Sequence, residues 1–170
     1  MKTLKQTVAI FVTAMMVLAA ASIALAQGQG KGNTKKDEKK LNKDARKLGE
    51  TAEEAAQGLG RDAVFCILAA HTSIADFESA QQLKAKFESL TDFPFGQFVA
   101  AVLLVDRLDK EGFGLNDVIA KLQAGESIGQ ITKEANVNMG EVRSGMGQMR
   151  SELARSMTNP PTKNCFETTP

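Results

Sequence analysis

The stretch FVAAVLLVDRL, residues 98–108, has the pattern of a strongly apolar helix in a hydrophobic core. Phe98, Val102, Val105 and Leu108 recur at helical spacing, and most positions between them are apolar as well. A helix that is apolar around its circumference has to be packed on several sides. The sequence therefore predicts that other helices surround this one.

Helical periodicity continues on both sides of this stretch, and no segment shows the strict alternation of a half-buried strand. We predict an all-α fold, a compact orthogonal bundle of five to seven short helices within residues 60–157. A charged amphipathic helix at 35–59 either lies against the bundle or projects away, and a tail follows at 158–170. SIAD, residues 73–76, is interpreted as a capping box that opens a helix. The other predicted helices cover 61–70, 115–124, 127–135 and 139–157.

The N-terminal segment has the pattern of an export signal. Lys2 and Lys5 form a basic head, residues 8–25 carry no charge, and Ala24 and Ala26 place small side chains where a signal peptidase cleaves. We predict that residues 1–26 are removed and that the mature chain acts in the periplasm or outside the cell. An uncleaved anchor is the alternative, because the uncharged stretch is nearly long enough to cross a bilayer.

Composition narrows the function of the mature chain, which is predicted to start at Gln27 with a flexible leader at 27–34. Removal of the signal takes two lysines from 21 basic residues and leaves all 20 acidic ones, so the net charge becomes −1. No overall field therefore attracts polyanions. Trp and Tyr are absent and His71 is the one histidine, so few side chains suited to general acid–base catalysis exist.

Cys66 and His71 are the one nucleophile and base pair that could form a dyad. Five residues along a helix rotate a side chain by about 140°, so the two would point to different faces. The sequence also shows no phosphate-binding loop, zinc-ligand spacing or nucleophile elbow. We expect no enzymatic activity, no catalytic residues, no metal and no cofactor.

Cys66 and Cys165 are the two cysteines of the chain. In an oxidising compartment such a pair most simply forms one disulfide. A buried free thiol at Cys66 with a second free thiol in the tail, or a bridge between two chains, are the alternatives.

The helix at 139–157 combines glycines and methionines. Gly140 and Gly145 lack side chains and allow close approach, and Met139, Met146 and Met149 offer adaptable apolar surface. We interpret these five residues as a surface for a protein partner or for self-association. Thioethers at 146 and 149 also have the spacing of a soft-metal site, but no further ligand supports one.

GESIGQITKEANVNMGEV, residues 125–142, resembles the helix-turn-helix of DNA-binding regulators, with Ile128 and Ile131 inside and a turn at Asn136. The second helix is rich in glycine, which weakens it as a rigid reading element. Two short helices packed at a steep angle give the same pattern. We therefore favour structural packing over nucleic-acid binding.

Residues 31–47 hold eight basic and three acidic side chains. This composition fits either an arm for anionic surfaces or a solvated helix face. We favour the solvated face, because the bases alternate with acids along the sequence.

Within residues 83–135, the segments GQFVAA, GFGLNDVIAKL and SIGQ resemble those of a loosely defined set of short exported bacterial helical proteins. The resemblance implies export and a helical fold, and it implies no activity, cofactor or binding residue. Our leading hypothesis is a non-enzymatic periplasmic or secreted interaction or structural module with no membrane span in its mature form. A periplasmic binder of a soft metal or small ligand and a helix-turn-helix nucleic-acid binder are the alternatives.

Overall fold

The computed structural model describes four segments of the chain, residues 34–74, 79–108, 113–161 and 165–166. The predicted signal sequence, the cleavage site at Ala24, Ala26 and Gln27, and the leader up to residue 33 lie outside these described residues. Seven helices are found in the described segments: α1 (Thr34–Leu59), α2 (Arg61–His71), α3 (Ala80–Glu88), α4 (Phe95–Leu108), α5 (Leu115–Gln123), α6 (Ile128–Glu134) and α7 (Met139–Thr158).

The predicted all-α bundle is confirmed, and the described segments contain no strand. Of the predicted capping box at 73–76, Ala75 and Asp76 lie outside the described residues, and Ser73 and Ile74 are not helical. The next described helix, α3, begins at Ala80. Ser79 caps that helix, with its Oγ accepting from the Gln82 amide and the Gln82 side chain accepting from the Ser79 amide. The amide of Ser73 donates instead to the Asp106 carboxylate of α4, at 2.8 Å.

Helix α4 occupies the centre, as its apolar circumference predicted. Its side chains from Phe98 to Val105 are all buried, and α5, α6 and α7 pack against it. At its N-terminal end, the ring of Phe95 meets that of Phe65 from α2 edge-on, with 5.5 Å between centroids. Phe87 of α3 joins the same aromatic cluster, 5.2 Å from Phe95. The cluster therefore ties α2 and α3 to the central helix.

Helix α1 lies against the bundle, which settles the alternative that the sequence left open. Leu41, Leu48 and Ala52 on its apolar stripe are fully buried. The helix crosses α4 where Gly49 meets Gly96, and a Cβ atom added at Gly96 would lie 2.6 Å from the Gly49 carbonyl oxygen. Since both contacting surfaces are backbone, neither can move aside alone. The two glycines therefore set the distance between α1 and α4.

We predict that Gly96→Ala destabilises the fold by about 2 kcal/mol or more, because the added methyl group overpacks a backbone contact. Gly147→Ala in α7 is the matched control, since nothing lies within 4 Å of the added Cβ atom there. That variant should gain up to about 1 kcal/mol from the higher helix propensity of alanine. Urea unfolding followed by circular dichroism measures both. Equal effects of the two substitutions would contradict the proposed role of the crossing.

The structure contains the predicted disulfide between Cys66 and Cys165, with 5.7 Å between the Cα atoms. The bridge joins α2 to the C-terminal tail over a sequence separation of 99 residues. Two further contacts hold the tail to α3. The Gln81 side chain donates to the Cys165 carbonyl at 3.4 Å, and Lys84 Nζ lies 5.2 Å from the centre of the Phe166 ring.

Reduction of this disulfide should lower the free energy of unfolding by about 2–4 kcal/mol, because a long closed loop restricts the unfolded chain. Denaturant unfolding with and without a reductant measures the change. A double variant, Cys66→Ala with Cys165→Ala, should be as unstable as the reduced protein and should not respond to reductant. An unchanged midpoint on reduction of the parent chain would refute the expectation.

Candidate functional site

The structure separates the five residues of the predicted partner surface. Met146 and Met149 are only 1% and 3% exposed, and Gly145 is buried with them. Met139 is half-buried and Gly140 is exposed. The two thioethers proposed as soft-metal ligands therefore pack within the chain's own core, and the part of the predicted surface that reaches solvent is Met139 and Gly140.

Gly145 does permit a close approach, but the group that approaches it is a side chain and not another helix. The guanidinium group of Arg107 from α4 lies on Gly145, and an added Cβ atom there would be 3.2 Å from Arg107 Nε. The same side chain lines a polar cleft of about 240 Å³ with His71 and Glu152. His71 Nε2 and Glu152 Oε1 are 3.9 Å apart, which exceeds hydrogen-bond distance. Cys66 cannot act as a nucleophile with His71, because its sulfur is in the disulfide.

Helices α6 and α7 follow each other across a short turn, as the pattern of residues 125–142 predicted, with Asn136 at a φ of 56° in the turn. Helix α1 lies across this unit. Its Asn42 side chain accepts a 2.7 Å hydrogen bond from the Gly129 amide, and its Asp44 carboxylate accepts a 2.7 Å bond from Arg143 Nε. Arg143, the first arginine of the second helix, is therefore paired within the protein.

A groove of about 490 Å³ runs beside the crossing of α1 and α4. It is bounded by α1 on one side and by α4 with the start of α6 on the other. Its volume falls in the range of small-ligand and peptide-anchor pockets. Its apolar lining comes from Ala45, Gly49, Gly96, Ala100, Leu122 and Ile128.

Three carboxylates and one guanidinium group also line this groove. Glu50 is paired with Arg46 at 3.1 Å, and Glu126 lies 3.5 Å from Lys121. Hydrogen bonds from Lys121 to Glu134, at 2.7 and 2.8 Å, hold the pKa of this lysine above its usual value. Both carboxylates thus have a cationic partner.

Glu53 differs from the other two carboxylates of the groove. Its Oε1 accepts a 3.0 Å hydrogen bond from the Gly96 amide at the start of α4. No cationic side chain of the described segments forms an ion pair with it. The groove therefore presents one half-buried negative charge beside an apolar lining.

Sequence reasoning did not find this groove, because its lining comes from segments far apart in the chain. The available signal was the small residues at 45 and 49 on the charged amphipathic helix and at 96 and 100 on the apolar helix, because they leave both surfaces without large side chains.

No family model, curated protein or solved structure matches the chain. The site is therefore interpreted from its own residues. None of the described helices has the length and apolar character needed to cross a membrane. The described segments also contain no group of three or more His, Cys, Asp or Glu side chains placed to hold a metal ion.

The burial of Met146 gives a direct test of its role. Met146→Ala should cost about 2–5 kcal/mol of stability by leaving a cavity. Met139→Ala, on the same helix and half-buried, should cost less than about 1 kcal/mol. Thermal and urea unfolding measure the difference, and a Met146 variant as stable as the parent would show that this side chain does not pack in the core.

Proposed function

We propose that this chain is an exported, non-enzymatic interaction module that binds an apolar peptide segment in the groove between α1 and α4. The observation that carries the proposal is the groove itself. An open apolar channel of about 490 Å³, with a few polar groups at fixed positions, is the usual form of a recognition site.

The depth of the groove depends on the residues at the crossing. Gly49 and Gly96 bring the helix backbones together. Ala45 and Ala100, with their small side chains, line the groove next to this contact. Because these residues carry no side chain larger than a methyl group, the bottom of the groove leaves room for the larger side chains of a partner. Burial of such side chains supplies about 25 cal/mol per Å² of apolar area.

The unpaired charge of Glu53 defines the second requirement for the occupant. A carboxylate that holds the Gly96 amide with one oxygen still has acceptor capacity on the other. A cationic group of the partner would form a charge-assisted hydrogen bond with it. We propose that the bound segment is apolar and carries one basic residue placed to reach Glu53.

Export of the module is the other part of the proposal. The signal pattern of residues 1–26 and the Cys66–Cys165 disulfide both fit an oxidising compartment outside the cytoplasm. A small domain that works there benefits from a covalent bridge, since reduction systems do not reach it.

Two short peptides test the proposed specificity. Both have a leucine- and phenylalanine-rich core and blocked ends, and they differ in having a single central lysine or a single central glutamate. We expect the lysine peptide to shift the backbone amide signals of Gly49, Gly96 and Ala100 in a ¹⁵N NMR titration. The glutamate peptide should bind at least about tenfold more weakly, because its charge faces Glu53.

Glu53→Gln is the critical variant, since its amide oxygen can still accept from Gly96 while the negative charge is gone. We expect a loss of about fivefold to tenfold in affinity for the lysine peptide. Glu54→Gln, one residue along and exposed outside the groove, should bind as the parent does. Equal binding of both peptides, or shifts confined to other helices, would refute the proposal.

A further inference from the structure

Five lysines form one row on the solvent side of α1. They fall within an arc of about 100° on a helical wheel, opposite the buried stripe that contains Leu41 and Leu48. All five are exposed. We call this row the lysine stripe, and it consists of Lys36, Lys39, Lys40, Lys43 and Lys47.

The acidic residues that alternate with these lysines in sequence are directed elsewhere. The Glu38 side chain lies over Gly129 of α6, where an added Cβ atom would nearly touch it. Asp44 is held by Arg143 of α7 at 2.7 Å. Asp37 is the one acidic partner of the stripe within the described segments, at 3.8 Å from Lys40. The alternation of acids and bases along the sequence favoured a solvated face, but in the folded helix these acids do not neutralise the lysine face.

The structure assigns the lysine stripe as a docking surface for an anionic lipid membrane. Its charges lie along a straight line of about 16 Å, from Lys36 to Lys47, on a helix fixed to the bundle by its opposite face. A straight row on a rigid support can touch a flat layer of phosphate groups with all its members at once. Because the apolar side of α1 is buried, binding is electrostatic and superficial, without insertion into the bilayer.

The choice of lipid over nucleic acid rests on the proposed export, which removes the chain from the chromosome. It also agrees with the pairing of Arg143, at the start of α7, to α1. The stripe and the groove share no residue, so a failure of peptide binding in the groove leaves the lipid assignment open to its own test.

The mature chain from Gln27 contains the whole compact unit of residues 36–170 and is the form to test. Its binding is measured by co-sedimentation with vesicles of phosphatidylglycerol and phosphatidylcholine, and with vesicles of phosphatidylcholine alone. We expect binding to the anionic vesicles only, and a loss of binding as salt is raised. Binding to both kinds of vesicle, or binding that salt does not affect, would overturn the inference.

A triple variant, Lys39→Gln with Lys43→Gln and Lys47→Gln, removes most of the stripe and keeps good helix formers. Each lysine near an anionic surface contributes about fivefold to the association constant, so the variant should bind about 100-fold more weakly. The control replaces Lys86, Lys133 and Arg155 with Gln, which changes the net charge equally and leaves the stripe intact.

Equal losses in the two triple variants would show that net charge alone acts, and would overturn the assignment. Duplex DNA is the second ligand to compare, at the same salt. Tighter stripe-dependent binding to DNA than to anionic vesicles would overturn the lipid assignment in favour of nucleic acid. Circular dichroism and urea unfolding of each variant establish that the fold is unchanged.

Discussion

The backbone contact between Gly49 and Gly96 is the constraint on which the rest of this structure depends. Helix–helix packing usually separates two axes by interlocking side chains, but here two glycines let the main chains meet. This fixes α1 at a set depth and direction on the central helix. The burial of its leucines, the bond from Gly96 to Glu53 and the reach of Asp44 to Arg143 all follow from that placement.

One helix thereby serves three purposes on three faces. The apolar face of α1 completes the core, a second face forms one wall of the groove, and the third presents the lysine stripe to solvent. The groove and the stripe are consequences of the same docking, because acidic side chains used as contacts to α6 and α7 are no longer available to the lysines. Charge along the sequence and charge on the folded surface therefore differ.

The fold class, most helix bounds and the disulfide were accessible from the sequence, because apolar periodicity and a lone cysteine pair are local signals. The site was not. Gly49 interrupts a helical pattern and, considered alone, weakens the helix. Its presence is explained by its contact with Gly96, 47 residues further along the chain. Met146 and Met149 had the composition of an interface, yet their orientation into the core depends on how α7 packs on α4. The amide of Ser73 donates to the Asp106 carboxylate, and Ser79 instead caps helix α3.

The position of the disulfide leaves the first helix outside the covalent ring that the bridge closes. The bridge encloses the chain from α2 to the tail in a covalent ring, and α1 lies wholly before the first cysteine. Every contact of α1 with the ring is noncovalent, so this helix is the segment whose detachment the crosslink does not oppose. Undocking of α1 would take away one wall of the groove together with the lysine stripe. The disulfide-closed ring would stay closed.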